Sequence, residues 1–243
     1  MCETRYRSPC GSISKPRKRV ALLIKGDFVD FLAERPSKHF DAPGAVPKLT
    51  RITQDPAFSD TFDALREFVA AKNRHLVLNL GNHDLELALP WVRAHLLTLL
   101  AGDNDAARGR ITLAFDGAGF LCRVGGAQVM CVHGNEVDDW NLANYEVIRR
   151  FGMEVLQGRP VESWIPNAGS QLVIDVMNEI KGRFPFVDLL KPETGGVLPI
   201  LYALAPEQGD KLNAIAATFA RLGFAKPRRM TRFLGAEDEE GEA

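Results

Sequence analysis

Residues 75–84 read HLVLNLGNHD, an apolar run that ends in glycine and three polar side chains. Two other runs share this form, LLIKGD at residues 22–27 and MCVHGN at residues 130–135. Short apolar runs bounded by turn residues are typical of buried β-strands. In α/β folds, ligand-binding groups collect at the carboxyl ends of strands, where glycine permits a sharp turn. The sequence therefore predicts that polar side chains from three strand ends converge on one point.

The converging side chains would be Asp27, Asn82 and His133. A carboxylate, an amide oxygen and an imidazole form a mixed oxygen and nitrogen set without a thiolate. Such a set suits Mn, Fe, Zn, Co or Ni better than a soft metal or a structural zinc. Taken singly, each residue also has an ordinary structural explanation as a strand-end turn, a helix cap or a core histidine. The three together favour a site for a divalent transition metal.

Three motifs resemble signature blocks of the calcineurin-like metallophosphoesterases. They are GDFVD at residues 26–30, GNHD at residues 81–84 and VHG at residues 132–134. They agree with three of that family's five blocks in order, spacing and flanking strands, over roughly residues 20–141. The resemblance implies metal-dependent hydrolysis of a phosphomonoester, phosphodiester or pyrophosphate bond by a metal-activated water, with manganese among the suitable metals.

The resemblance also implies a role for each site residue. Asp27 would bridge two metals, and Asn82 and His133 would bind the second of them. His83 would face the substrate phosphate and assist the leaving oxygen. Asp84 would hold the ring of His83 and fix its tautomer.

Two of the family's blocks are missing from this sequence. The first is an Asp-x-His pair ahead of GDxxD, but no Asp or His precedes Asp27. The last is Gly-His-x-His, but no histidine follows His133. Only three of seven expected ligands remain, so we expect at most one partly complete metal site where the family has two.

Three explanations for the missing ligands stay open. In the first explanation, the chain is a fragment of a longer phosphoesterase. In the second, it is a degenerate homologue that binds one metal or none and acts as an interaction module. In the third explanation other acids substitute, and the nearest by sequence are Asp30, Glu136 and Asp138. Asp138 and Asn141 are also candidates for substrate binding beside His133, although helix capping explains them equally well.

By resemblance, the fold class is α/β: an αββα sandwich of two mixed sheets with a helical C-terminal insertion. We predict a poorly ordered leader over residues 1–18, the phosphoesterase-like core over 19–139, a helical insertion or cap over 140–230, and an acidic disordered tail over 231–243. In such enzymes the insertion tends to select the substrate. Within the core, the composition of residues 36–56 predicts a long surface loop, and apolar spacing predicts helices from Ser59, from Pro90 and over 141–151.

The balance of charged residues limits the classes of partner that we expect. Thirty Lys and Arg stand against 31 Asp and Glu, a formal net charge of -1. This balance argues against a dedicated nucleic-acid or membrane-surface protein, so the expected partner is a phosphorylated small molecule. Neither a membrane-spanning apolar run nor a signal-peptide core is evident, which favours a cytoplasmic protein. The sequence carries no signal for an oligomeric state.

Overall fold

The computed structural model describes residues 19–138, 140–159, 164–186, 198–210, 212–213 and 217. The predicted leader over 1–18 and the predicted acidic tail over 231–243 lie outside these residues, as does Asp139. The chain divides into two compact units. The first comprises Met1–Gly134 and Ala143–Pro166, and the second comprises Asn135–Leu142 and Asn167–Ala243. The domain boundaries predicted from the sequence stay predictions.

A three-stranded parallel sheet lies at the centre of the first unit. Its strands are β1 (Val20–Ile24), β2 (Arg74–Asn79) and β3 (Ile111–Ala114), in the order β1-β2-β3. Four consecutive residues of the central strand are buried, as expected for a parallel strand covered on both faces. The strands predicted before Asp27 and Asn82 are confirmed as β1 and β2, whereas the strand predicted before His133 belongs to another sheet. The carboxyl ends of β1, β2 and β3 lie at one edge of the parallel sheet.

Five α-helices accompany this sheet in the described residues of the first unit. They are α1 (Ala45–Gln54), α2 (Ser59–Ala70), α3 (Pro90–Ala101), α4 (Asp105–Arg108) and α5 (Tyr145–Leu156). The helices predicted from Ser59 and Pro90 are confirmed. Each buries side chains at helical spacing, namely Phe62, Leu65 and Val69 on α2, and Val92, Leu96 and Leu100 on α3. These side chains form one core with β2.

Helix α1 lies where a surface loop was predicted, so that prediction is wrong. Pro47 is in the first turn, where a proline costs no helical hydrogen bond. Lys48 occupies a core position with 1% of its surface exposed, and its Nζ lies 3.2 Å from Oδ2 of Asp41. A buried ion pair therefore replaces the apolar residue that would have revealed the helical period.

Helix α5 begins four residues later than predicted. Its cap is Asn144, whose Oδ1 accepts a hydrogen bond from the backbone N–H of Val147 at 3.0 Å. Asparagine is a favoured N-cap, and it satisfies one of the first backbone N–H groups of the helix. The prediction of a helix over 141–151 is therefore wrong in its start, although a helix does lie in this segment.

Strands β4 (Phe120–Val124) and β5 (Ala127–Cys131) form an antiparallel hairpin with a Gly-Gly turn. Much of the hairpin is exposed, including Leu121 and Met130. In the described residues one sheet is therefore parallel and the other antiparallel, so the prediction of two mixed sheets is not confirmed. The coarser prediction, an α/β fold, agrees with the structure.

The second unit is helical in its described parts. Helix α6 (Ala168–Leu172) continues through a π-helical turn (Val173–Met177) into α7 (Asn178–Arg183), and α8 (Leu198–Leu204) follows. A small separate core gathers Met177, Ile180, Ala205 and Leu212. Within the described ranges, the helices are too short or too polar to cross a membrane.

Candidate metal centre

The turn after β1 brings Asp27 to the carboxyl edge of the parallel sheet. Gly26 has φ +98° and Asp27 has φ +49°, a left-handed conformation that aspartate tolerates better than most residues. A Cβ on Gly26 would lie 2.5 Å from Nδ1 of His133. The glycine is therefore required because an imidazole packs directly on the backbone.

The turn after β2 packs on the same aspartate. A Cβ on Gly81 would approach both Oδ1 and the backbone nitrogen of Asp27, well inside the 3.0 Å limit of real Cβ contacts. The backbone N–H of His83 donates to Oδ1 of Asp27 at 3.0 Å. The two turns thus approach closely, and glycine makes this approach possible.

The third strand end, after β5, brings in the imidazole of His133. Its Nε2 lies 3.0 Å from Oδ1 of Asn82 and 3.3 Å from Oδ2 of Asp27. Its Nδ1 lies 2.7 Å from the carbonyl oxygen of Lys25. The structure therefore brings together all three side chains that the sequence singled out.

Proton positions around His133 follow from hydrogen-bonding capacity. A carbonyl oxygen only accepts, so Nδ1 of His133 carries the proton that is donated to Lys25. In the neutral ring, Nε2 then presents a lone pair toward an amide oxygen and a carboxylate oxygen, which are also acceptors. A metal ion between the three groups would satisfy all of these acceptors at once.

This donor set fits one divalent cation with three protein ligands. Among the residues that the structure describes, no group of three or more His, Cys, Asp and Glu side chains is arranged to hold a metal. The set reaches three donors only through the amide of Asn82, which is buried, whereas Asp27 and His133 are partly exposed. Three protein ligands with open positions are the usual form of a catalytic metal site.

His83 is positioned by an aspartate that the sequence analysis did not assign to it. Nδ1 of His83 lies 3.3 Å from Oδ1 of Asp30. That Oδ1 also accepts hydrogen bonds from the backbone N–H groups of Leu32 and Ala33, at 3.0 and 3.1 Å. Asp30 is the second aspartate of the GDFVD motif, so the signal was present three residues after Asp27.

Asp84 has a different role from the one predicted. Its side chain is fully buried, and Oδ1 accepts from the backbone N–H of Gly81 at 2.6 Å. Oδ2 accepts from the backbone N–H of Phe28 at 2.7 Å. The prediction that Asp84 holds the ring of His83 is therefore not what the structure shows: the carboxyl group joins the turn after β1 to the turn after β2.

A second buried acid, Glu86, lies directly behind this junction. Its Oε1 accepts from the backbone N–H of Asp41 at 2.9 Å. Burial raises the pKa of both Asp84 and Glu86 to about 7. Repulsion from Asp27 and Glu86 also raises the pKa of Asp84, and repulsion from Asp41 also raises that of Glu86. Burial alone would also raise the pKa of Asp41, but the adjacent ammonium groups of Lys38 and Lys48 outweigh it and lower that pKa.

We expect Glu86→Gln to change the pH dependence of stability. Because the pKa of Glu86 is raised in the folded protein, the folded state retains a proton that the unfolded chain releases between about pH 4.5 and 7. The stability from this proton is fully present below that window and is lost as pH rises through it. Glutamine keeps the acceptor for Asp41 without titrating, so the variant should gain on the order of 2–3 kcal/mol relative to the parent between pH 5 and pH 8.

Urea unfolding at both pH values measures this difference. Glu67→Gln, which changes an exposed residue of α2, is the matched control and should follow the parent. An equal pH dependence in Glu86→Gln and the parent would contradict the assignment.

The candidates for substrate binding belong to the second unit. Nδ2 of Asn141 donates to Oδ2 of Asp138 at 2.8 Å, and the backbone N–H of Trp140 donates to Oδ1 at 3.0 Å. Both hydrogen bonds lie within the turn at residues 138–141. A role for Asp138 or Asn141 in substrate binding stays a prediction, as does substitution for a missing ligand by Glu136.

The chain was compared with protein families and with known proteins. The family model for calcineurin-like phosphoesterases matches residues 11–188, more than half of the chain. Comparisons with curated proteins and with solved structures gave no match. The match spans all three turns that meet at Asp27, Asn82 and His133, and by it the chain belongs to the calcineurin-like phosphoesterase family.

Proposed function

We infer that this protein hydrolyses a phosphoester bond with the help of one divalent cation held by Asp27, Asn82 and His133. The observation that carries the proposal is the approach of Nε2 of His133 to two oxygen acceptors, at 3.0 and 3.3 Å. Manganese, iron, zinc, cobalt and nickel all suit these donors. The substrate class is a phosphomonoester, a phosphodiester or a pyrophosphate on a small molecule in the cytoplasm.

The bound cation would lower the pKa of a water and polarise a phosphoryl oxygen. The protein's own residues supply position and protons. Asp27 holds the backbone N–H of His83, which fixes the start of the GNHD turn beside the donor set. The buried carboxyl group of Asp84 accepts a hydrogen bond from each of the two glycine-containing turns and so holds the turns together.

His83 is suited to act as the general acid. Because Nδ1 faces Asp30, its proton is directed at that carboxylate, and Nε2 is left to donate a proton to the leaving oxygen. The carboxylate also stabilises the imidazolium form that must be present before the proton is given up. Asp30 is therefore the positioning residue for His83, in place of the predicted Asp84.

Hydrolysis of p-nitrophenyl phosphate and bis-p-nitrophenyl phosphate tests the proposal, with Mn²⁺ added to the full chain. We expect activity that depends on Mn²⁺ and falls about 100-fold or more in His83→Ala, because a positioned general acid contributes a factor of roughly 10²–10⁴. His95→Gln, which changes a histidine bonded to Thr50, should retain the activity. Hydrolysis that is no faster in the parent than in His83→Ala would overturn the proposal.

An alternative function is a non-catalytic metal-binding or interaction module on the same fold. It is favoured by the three-donor set and by the absence of the Asp-x-His and Gly-His-x-His blocks from the sequence. Metal stoichiometry measured together with hydrolysis separates the two proposals. One bound cation with hydrolysis that depends on it would exclude the module, whereas no bound cation and no hydrolysis would support it.

The proposal extends to substrate choice. The family resemblance supports an αββα sandwich whose helical insertion, over about residues 140–230, selects the phosphoester. The helical character of the described parts of the second unit supports this assignment. Asp138 and Asn141 of the second unit are the residues that we propose for substrate contact.

A further inference from the structure

The amino ends of the three parallel strands carry an arginine each. Arg19 directly precedes β1, Arg74 is the first residue of β2, and Arg110 directly precedes β3. Because the strands are parallel and adjacent, their amino ends lie at one edge of the sheet. The carboxyl edge is at the other end of β1, five residues or roughly 15 Å away at 3.3 Å per residue, and Asp27 lies in the turn beyond it. This edge is therefore separate from the candidate metal centre.

The three arginines line a single cavity. Its volume is about 370 Å³, in the range of pockets that bind small molecules. His75 and Asn73 also line it, and every ionisable group among its described lining residues is a base. Such a concentration of positive charge on one concave surface favours an anion.

Two of the guanidinium groups are held in place by uncharged partners. Nε and Nη2 of Arg110 donate to the carbonyl oxygens of Val69 and Ala70, at 2.8 and 3.1 Å. The guanidinium of Arg74 lies over the ring of Phe68, 5.7 Å from its centre. Carbonyl groups and an aromatic ring orient a guanidinium without cancelling its net charge. Arg110 therefore retains N–H groups on its two terminal nitrogens for a ligand.

His75 lies in the same positively charged cavity. Its Nε2 lies 2.8 Å from the hydroxyl oxygen of Thr112 on the neighbouring strand. Burial lowers the pKa of His75, and the positive charge of Arg19 lowers it further. The positive charge in the cavity therefore disfavours the binding of an additional cation.

We propose that this cavity, which we call the arginine cavity, is a binding site for a small multiply charged anion of the phosphate or pyrophosphate class. Guanidinium groups match phosphate oxygens with paired N–H donors, and Arg74 and Arg110 carry the charge that attracts the anion. The inference is independent of the proposed hydrolysis, because the arginine cavity and the candidate metal centre lie at opposite edges of the sheet.

Calorimetric titration with inorganic pyrophosphate tests the site, using the full chain in EDTA so that no metal-dependent binding or turnover occurs. We expect saturable binding that weakens about 10–100-fold in Arg74→Gln and in Arg110→Gln, since each removes charged hydrogen bonds to the anion. Arg149→Gln removes the same charge from an exposed residue of α5 and should bind within about twofold of the parent. Asp27→Asn should also bind normally.

Proton NMR locates the ligand. The ring signal of His75, assigned by its loss in His75→Gln, should shift on saturation with pyrophosphate. Arg110 also holds the end of α2, so Arg110→Gln is at risk of not folding. In that case Arg74→Gln and the His75 signal test the proposal. The proposal would be overturned by a lack of saturable binding, or by an equal loss of affinity in Arg149→Gln. Loss of binding in Asp27→Asn alone would overturn it too, since pyrophosphate would then occupy the metal centre.

Discussion

Asp27→Asn is expected to lower the affinity for Mn²⁺ and the rate of phosphoester hydrolysis by at least about 100-fold each. Changes to groups that only support a metal ligand already cost 10–100-fold, and a direct ligand should cost no less. Asparagine has nearly the same shape and keeps an oxygen that accepts the N–H of His83. The loss would therefore come from the negative charge that faces Nε2 of His133 at 3.3 Å.

Calorimetric titration with Mn²⁺ and aryl phosphate hydrolysis measure both effects. Asp103→Asn is the matched control, because it removes the same charge from a fully exposed loop residue and should leave both quantities unchanged. If Asp27→Asn bound Mn²⁺ as tightly as the parent, Asp27 would not be a ligand, and the proposed centre would be wrong.

The second large effect is expected for Gly81→Ala. The added methyl group would overlap the carboxylate and the backbone nitrogen of Asp27, and the backbone nitrogen cannot move without displacing the turn after β1. Overpacking of this kind typically costs about 1–3 kcal/mol and sometimes more. We also expect loss of Mn²⁺ binding, because the displaced turn carries one of the three donors.

Urea unfolding and Mn²⁺ titration measure the two consequences. Gly109→Ala is the matched control: its added Cβ would meet only backbone oxygens at ordinary contact distances, and its φ of −64° suits any residue. That variant should differ from the parent by no more than about 0.5 kcal/mol. Gly81→Ala with unchanged stability and unchanged Mn²⁺ affinity would show that the two turns are not packed as described.

The sequence was sufficient to predict the strands and the convergence of their ends. Alternation between apolar runs and turn residues is a local signal, and the parallel sheet follows from it. The rule that the carboxyl ends of neighbouring parallel strands meet at one edge accounts for Asp27 and Asn82. His133 follows β5 of the antiparallel hairpin, whose place beside that edge the rule does not predict. Asp30 could have been assigned by its place in GDFVD, but the choice between Asp30 and Asp84 depends on the direction of side chains at a tight turn.

One physical cause of error is the burial of polar groups. Lys48 and Asp41 are buried as an ion pair, and their pairing cannot be read from hydrophobic periodicity. The same holds for Glu86, whose burial behind Asp84 gives no pattern in the sequence. The start of α5 was misplaced because several Asp and Asn residues precede it, and only the tertiary structure determines which one caps it.

One contact of the candidate metal centre affects how the protein folds. The carbonyl oxygen of Lys25 and Nδ1 of His133 are separated by 108 positions along the chain. Contacts between such distant segments form late, since a long loop must close before they are gained. A cation that binds only the completed centre would therefore select the native state, and at 100 times its dissociation constant it would stabilise that state by about 2.7 kcal/mol.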